Sequence, residues 1–169
     1  MPAVHQDKAY KDYPLPIGYG QTISQPFTVT FMLELLAPQK GDKVLDVGSG
    51  SGWTTALLAV LVGEKGKVFG VEKIPELVEF GQENLAKYNF ANAKIIQAGA
   101  ELGLPSEAPF DRILVSAAAD EIPKSLVSQL KTPGILVLPV KDTIIQIKKT
   151  ATGEIFQRVF PGFAFVPLR

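Results

Sequence analysis

The most constraining feature of this sequence is a glycine-rich loop that follows a short apolar strand. The predicted strand covers residues 43–47, and Gly48, Gly50 and Gly52 come next at alternate positions. Glycine lets the backbone turn sharply and lets a ligand approach the main chain without a Cβ in the way. In α/β proteins the carboxyl end of a parallel strand is where nucleotide-like cofactors bind. The loop therefore predicts a cofactor-binding α/β domain.

Predicted strands and helices alternate along most of the chain. The strands are residues 43–47, 67–72, 94–97, 111–116 and 135–140, and the helices are 26–37, 54–62, 75–88 and 123–130. This alternation indicates a parallel sheet with helices on both sides. Segments 142–150, 155–160 and 163–166 predict antiparallel strands at one edge. Residues 1–25, including the N-terminal segment 1–15, are expected to be irregular, 132–134 to form a turn, and 1–169 to form one domain.

Composition and charge exclude several classes of function. Lys plus Arg and Asp plus Glu number 17 each, so no net positive field attracts nucleic acid. The chain has no cysteine, and His5 is its only histidine, so we expect no metal site. We see no run of about 18 apolar residues and no apolar N-terminal signal, which favours a protein without membrane contact in the cytoplasm. We expect a monomer.

The loop spacing narrows the choice of cofactor. A dinucleotide-binding loop needs glycine at the sixth position, where this chain has Trp53, and the third glycine, Gly52, comes one residue early. No Gly-Lys-Ser/Thr follows, so the loop is not a triphosphate-binding one. Glu72 ends the second predicted strand, where a carboxylate can accept hydrogen bonds from ribose hydroxyls. A nucleoside with free hydroxyls and no phosphate is what S-adenosylmethionine offers.

Simpler interpretations of the same residues stay open. The three glycines could form a tight strand–helix turn with no ligand, and Glu72 could be a solvated carboxylate at a strand end. Asp46 is expected to be nearly buried, and its whole role could be to bond loop N–H groups. Trp53 is expected to pack at the base of the loop.

Two segments together resemble one enzyme family. The run Pro16-Ile-Gly-Tyr-Gly-Gln-Thr-Ile-Ser-Gln-Pro26, followed by Asp46-Val-Gly-Ser-Gly-Ser-Gly52, resembles the protein-L-isoaspartate O-methyltransferases. Further matches lie at 108–113, 123–130, 134–139 and 165–168, so the resemblance covers nearly all of residues 14–168. It implies a Rossmann-like class I methyltransferase with a mostly parallel seven-stranded sheet, antiparallel C-terminal strands and three α/β/α layers.

The resemblance also implies an activity and a set of site residues. The enzyme would methylate the free α-carboxylate of isoaspartyl residues in damaged proteins and peptides, with S-adenosylmethionine converted to S-adenosylhomocysteine and no metal. Ser24 would lie at the active site, where the alternative is an N-cap for the helix that begins at Pro26. The cofactor would be bordered by Thr22, Ile23, Ser24, Asp46, Gly48, Ser49, Gly50, Gly52, Glu72, Lys73, Gly99 and Ala100.

The chain departs from the family pattern at two places. The family has Gly-Asp-Gly after the third strand, with the Asp near the adenine, whereas this chain has Ala98-Gly99-Ala100. Only fifteen residues precede Pro16, where family members carry helices that cover part of the active site. Two alternatives therefore stay open: a methyltransferase of the same fold with a smaller carboxylate acceptor, and a non-catalytic protein that binds a nucleoside.

Overall fold

The computed structural model describes residue 8 and residues 11–168. The expectation that residues 1–15 are irregular therefore falls largely outside the described residues, as does His5. The helices are α1 (Pro26–Leu36), α2 (Trp53–Val62), α3 (Pro75–Ala86) and α4 (Lys124–Gln129). The strands are β1 (Leu15–Gly18), β2 (Gln21–Ile23), β3 (Lys43–Val47), β4 (Lys67–Glu72), β5 (Ala93–Gln97), β6 (Phe110–Val115), β7 (Leu130–Val140), β8 (Thr143–Lys149) and β9 (Ile155–Pro161).

The main sheet has seven strands in the order β5-β4-β3-β6-β7-β8-β9. The pairs from β5 to β7 are parallel, and β7, β8 and β9 form an antiparallel meander. Val47 at the end of β3 pairs with Val71 of β4 on one side and with Val115 of β6 on the other. Strands β4 and β5 thus lie on one side of β3, and the chain then crosses over to form β6 on the other side. In sheets of this kind, ligands bind where the strand order reverses in this way. The predicted fold class is confirmed.

The core has a layer on each face of this sheet. Adjacent residues of β3 point to opposite faces, so Val44 belongs to the layer under α1 and α2, and Leu45 to the layer under α4. Both side chains are fully buried. Helix α2 is apolar nearly all round, and its buried positions include Leu58 and Val62. Each fully buried aliphatic side chain contributes about 1.5–3 kcal/mol to folding.

The N-terminal region is more ordered than its composition predicted. Residues 15–23 were expected to be irregular but form a two-stranded antiparallel hairpin, β1–β2. Leu15 and Ile17 are buried, while Pro16 and Gly18 between them are exposed. The hairpin turn passes through Gly18, Tyr19 and Gly20, which all have positive φ. The two-residue alternation was present in the sequence, but the density of proline and glycine hid it.

The C-terminal half differs from prediction in two places. Residues 132–134 were expected to form a turn but lie within β7, where the pairing with β6 jumps from Phe110↔Leu130 to Arg112↔Ile135. The expected return strand over residues 163–166 does not form. Gly162, with φ +97°, turns the chain out of the sheet, and Phe163 stacks on Phe31 instead.

Within the described part of the chain, no helix combines the length and the apolar character needed to cross a membrane.

Candidate active site

A cleft of about 570 Å³ opens at the carboxyl edge of the parallel strands. Ligand-binding clefts typically enclose about 300–1,000 Å³, so it is large enough for a nucleoside-sized molecule. The predicted site residues that line it are Thr22, Ile23, Ser24, Gly48, Ser49, Gly50, Glu72, Lys73, Gly99 and Ala100. The structure thus brings together residues from four separate segments. Asp46 and Gly52 do not line the cleft.

The glycine loop is held by close backbone packing. Gly48, Gly50 and Gly52 have φ values of +79°, +48° and +79°, which favour glycine. A Cβ on Gly52 would lie 2.9 Å from the carbonyl oxygen of Gly81 in α3, and one on Gly81 would lie 2.7 Å from the carbonyl oxygen of Gly50. Gly52 therefore serves the packing of the loop on α3, which explains why it lies outside the cleft.

The Glu72 carboxylate joins the glycine loop to the turn after β4. Oε2 accepts a hydrogen bond from the Gly50 N–H at 3.0 Å. Oε1 accepts bonds from the N–H groups of Lys73 and Ile74 at 2.8 and 3.0 Å. A carboxylate has about four acceptor positions, so one remains on Oε2. The side chain is only 8% exposed but borders the cleft, so it can accept one ribose hydroxyl without losing an existing bond.

Asp46 lies beneath the loop with no exposed surface. Its Oδ2 accepts a bond from the Thr55 hydroxyl of α2 at 2.7 Å, while Oδ1 and the buried Ser49 hydroxyl have no partner among the described residues. The alternative role of Asp46, bonding loop N–H groups, is not observed among the described residues: the N–H groups of Gly48 and Ser49 donate to the Val71 carbonyl, and that of Gly50 donates to Glu72. Burial raises the pKa of Asp46 to about 7; the hydrogen bond from Thr55 opposes this rise, and the negative charge of Glu72 adds to it.

Ser24 lies in a two-residue joint between β2 and α1. Its side chain is half-buried, borders the cleft and makes no hydrogen bond within the described residues. Gln25, and not Ser24, is the N-cap of α1. The alternative role for Ser24 is therefore wrong, and its hydroxyl is free to bind a ligand. Across the loop, a Cβ on Gly50 would lie 3.2 Å from Ile17 Cδ1, so the β1–β2 hairpin covers the glycine loop.

The far wall of the cleft presents few polar side chains. Ala98, Gly99 and Ala100 offer only main-chain polar groups, and the Ala98 N–H is already bonded to the Glu72 carbonyl at 2.7 Å. Gln129, which is buried, fixes the rest of the wall: it accepts a bond from the Leu104 N–H at 2.8 Å and donates to the Leu102 carbonyl at 2.9 Å. This wall leaves open space beside Gly99, where an added Cβ would meet nothing within 4 Å.

Sequence reasoning missed several cleft residues. Trp53 borders the cleft rather than only packing beneath the loop. Ser116 and Ala117 follow β6, and the topology alone predicts that residues at this strand end reach the site. Val166, Pro167 and Leu168 form another wall, held by main-chain bonds of 2.8 Å on both sides of Ala118. Only the family resemblance of residues 165–168 hinted at them. The described residues contain no cluster of potential metal ligands.

Comparison with known proteins points in one direction. The family model for protein-L-isoaspartate(D-aspartate) O-methyltransferase (PCMT) matches residues 1–169. A protein-L-isoaspartate O-methyltransferase of Methanopyrus kandleri is 49% identical over 99% of this chain and 76% of its own length. One from Archaeoglobus fulgidus is 44% identical over 100% of this chain and 78% of its own length.

Solved structures agree. A beta-aspartate methyltransferase (PCMT) from Plasmodium falciparum, in complex with S-adenosyl-L-homocysteine, is 31% identical with a TM-score of 0.81, over 95% of this chain and 81% of that one. A second structure, described as a protein-L-isoaspartate O-methyltransferase, has a TM-score of 0.86 at 25% identity. This chain spans 54% of its length, and 96% of this chain is covered.

Proposed function

The chain belongs to the protein-L-isoaspartate(D-aspartate) O-methyltransferase family, and from this we propose that it methylates the free α-carboxylate of L-isoaspartyl residues in damaged proteins and peptides. The observation that carries the proposal is the meeting of Ser24 with the glycine loop and Glu72 around one cleft. We also propose that the whole chain acts as a single domain and a monomer in the cytoplasm. The equal numbers of basic and acidic residues favour protein rather than nucleic acid as its partner.

The residues of the cleft fit S-adenosylmethionine, the cofactor of this family. Glu72 would hold a ribose hydroxyl through the free position on Oε2. The main chain at Gly48 and Gly50 would cradle the rest of the nucleoside, and Gly99 and Ala100 would border the base. Thr22 and Ile23 would border the reacting end. When bound, the cofactor supplies an electrophilic methyl group on a positively charged sulfur.

The acceptor side needs little acid–base chemistry. An α-carboxylate has a pKa of about 3.5 and is ionised at neutral pH, so no general base is required. The protein has to hold the carboxylate in line with the methyl group, and such positioning supplies most of the rate enhancement in reactions of this kind. The free Ser24 hydroxyl can donate a hydrogen bond to the carboxylate, which contributes about 1.5–3 kcal/mol.

Labelled S-adenosylmethionine and an isoaspartyl peptide test the proposal directly. We expect a base-labile methyl ester on this peptide and little on the matching aspartyl peptide. Equal labelling of both peptides would contradict the proposal. Labelling of small carboxylic acids but never of peptides would select the smaller-acceptor alternative. Calorimetric titration with S-adenosylhomocysteine separates both from a protein that does not bind the cofactor.

Replacing Glu72 by glutamine should weaken S-adenosylhomocysteine binding about 10- to 100-fold. The amide nitrogen cannot accept the bonds that one carboxylate oxygen now accepts, so either Gly50 or the Lys73–Ile74 turn is released, and hydrogen bonds to charged groups contribute about 1.5–3 kcal/mol. Quenching of Trp53, the only tryptophan of the chain, reports binding from within the cleft. Glu76→Gln, an exposed change in α3, is the control. Unchanged affinity in Glu72→Gln would reject the assigned role.

Replacing Ser24 by alanine should lower kcat/KM for the isoaspartyl peptide about 10- to 100-fold, because the bond to the charged acceptor is lost. Ser24→Thr keeps the hydroxyl and should retain more activity than Ser24→Ala. The dissociation constant for S-adenosylhomocysteine, measured on the same proteins, shows whether Ser24 also contacts the cofactor. Wild-type kcat/KM in Ser24→Ala would remove Ser24 from the active site.

A further inference from the structure

The first turn of α1 is capped by a residue far from it in sequence. Gln25, the N-cap residue, makes no cap bond with its side chain, and Pro26 has no N–H. The next donor, the Phe27 N–H, bonds Asp12 Oδ1 at 2.9 Å, although the two residues are fifteen positions apart. Asp12 Oδ2 accepts a second bond, from Gln25 Nε2 at 3.1 Å. The first turn of α1 contains no acidic residue, so Asp12 supplies the negative charge that favours a helix start.

These two bonds close a loop that carries the acceptor side of the cleft. Between Asp12 and Phe27 lie the β1–β2 hairpin and the joint that contains Ser24. The hairpin is anchored at its far side by Ile17, which is buried against Gly50. Asp12 fastens its open end to α1. The segment is thus held by its buried side chains, of which Ile17 lies against the glycine loop, and by Asp12 at α1.

The joint between β2 and α1 consists of Ser24 and Gln25. Ser24 borders the cleft, whereas Gln25 is held from outside by Asp12, which does not line the cleft. We propose that Asp12 is a positioning residue for the acceptor: by fixing Gln25 and the first turn of α1, it sets the place of the Ser24 hydroxyl. This inference rests on the proposed function, and it names a residue that touches neither cofactor nor acceptor.

The geometry implies that loss of Asp12 affects binding of the acceptor more than binding of the cofactor. The cofactor side is held by other contacts: Glu72 bonds the Gly50 N–H, and Gly52 packs on Gly81. None of these involves Asp12. Removing the Asp12 carboxylate therefore frees the Ser24 joint while leaving the glycine loop in place.

Asp12→Ala tests the proposal. We expect kcat/KM for an isoaspartyl peptide to fall about 5- to 20-fold, mainly through KM, as befits the loss of a helix cap. Affinity for S-adenosylhomocysteine, followed by Trp53 fluorescence, should stay within about twofold of wild type. Asp12→Asn should restore part of the loss, since its one amide oxygen can still accept the bond from the Phe27 N–H although the charge is gone. Glu64→Ala removes the same charge from the exposed turn between α2 and β4, at the end of the sheet away from the cleft, and should behave as wild type.

Two outcomes would overturn the inference. One is a wild-type kcat/KM in Asp12→Ala; the other is a loss of cofactor affinity as large as the loss of kcat/KM, which would indicate that the substitution disturbs the whole site. If Asp12→Ala does not fold, Gln25→Ala removes one of the two bonds, and an unchanged KM there has the same meaning. Amide hydrogen exchange needs no substrate. Faster exchange in Asp12→Ala than in wild type at residues 22–27, but not at 48–52, supports the inference. This holds even if the wild type methylates no isoaspartyl peptide, because that failure would reject only the proposed function.

Discussion

Gly52→Ala is expected to destabilise the protein by about 3 kcal/mol or more and to abolish cofactor binding. A left-handed backbone costs an L-residue roughly 1–2 kcal/mol, and Gly52 has φ +79°. The new methyl group would also lie 2.9 Å from the Gly81 carbonyl oxygen and 3.0 Å from Ile95 Cδ1. Backbone cannot move away as a flexible side chain can, and overpacking of this kind costs about 1–3 kcal/mol. Urea denaturation and S-adenosylhomocysteine titration measure the two effects.

Gly153→Ala separates strain from packing. Gly153 has φ +86°, but nothing lies within 4 Å of an added Cβ there. This variant should therefore lose only the strain contribution, roughly 1–2 kcal/mol, and keep its affinity for S-adenosylhomocysteine. Equal loss of stability in the two variants would show that close packing of the loop on α3 is not what Gly52 provides.

Asp46→Asn is expected to remove a pH dependence of stability. The pKa of the buried Asp46 carboxyl is about 7, against 3.8 for the ordinary group. Between these values the native state binds more protons than the unfolded state, so the free energy of unfolding falls as pH rises. One pKa unit corresponds to about 1.4 kcal/mol, so this group alone costs the native state up to roughly 4 kcal/mol above pH 7. Asparagine does not titrate, so the free energy of unfolding of Asp46→Asn should lack this dependence on pH.

Urea denaturation of both proteins from pH 4.5 to 8.5 tests this. The free energy of unfolding of Asp46→Asn minus that of wild type should grow in favour of the variant by several kcal/mol across this interval. The hydrogen bond from Thr55 lowers the pKa of Asp46, so Thr55→Val, which removes this donor, should raise that pKa further. The fall in stability should then extend to higher pH. A difference that is constant with pH would mean that Asp46 is ionised throughout.

The central strands could be predicted closely because their signals are local. β3 and β4 have the predicted bounds, Lys43–Val47 and Lys67–Glu72, since each is a short β-branched run between turn residues. The hairpin of residues 15–23 was missed because the exposed positions of its alternation are Pro16 and Gly18, residue types that are rare inside strands. Residues 163–166 had strand-like composition, but the turn at Gly162 and the aromatic contact with Phe31 decided their course.

The site could be predicted as a set of residues but not as a set of contacts. The position of Glu72 follows from strand topology, whereas its three bonds to backbone N–H groups depend on how two loops meet. The bond between Asp46 and Thr55 could not be predicted for the same reason, since Thr55 belongs to the helix that follows the loop. Asp12 and Phe27 have no local signal at all, because their contact exists only once the hairpin between them has folded.

The wall formed by Val166, Pro167 and Leu168 has a practical consequence. These residues lie outside every helix and strand and are tied to Ala118 by two main-chain bonds. Removal of residues 166–168 would therefore open the cleft while leaving the seven-stranded sheet and its circular dichroism spectrum intact. Such a protein would look folded but be inactive, so intact mass should accompany every measurement of activity.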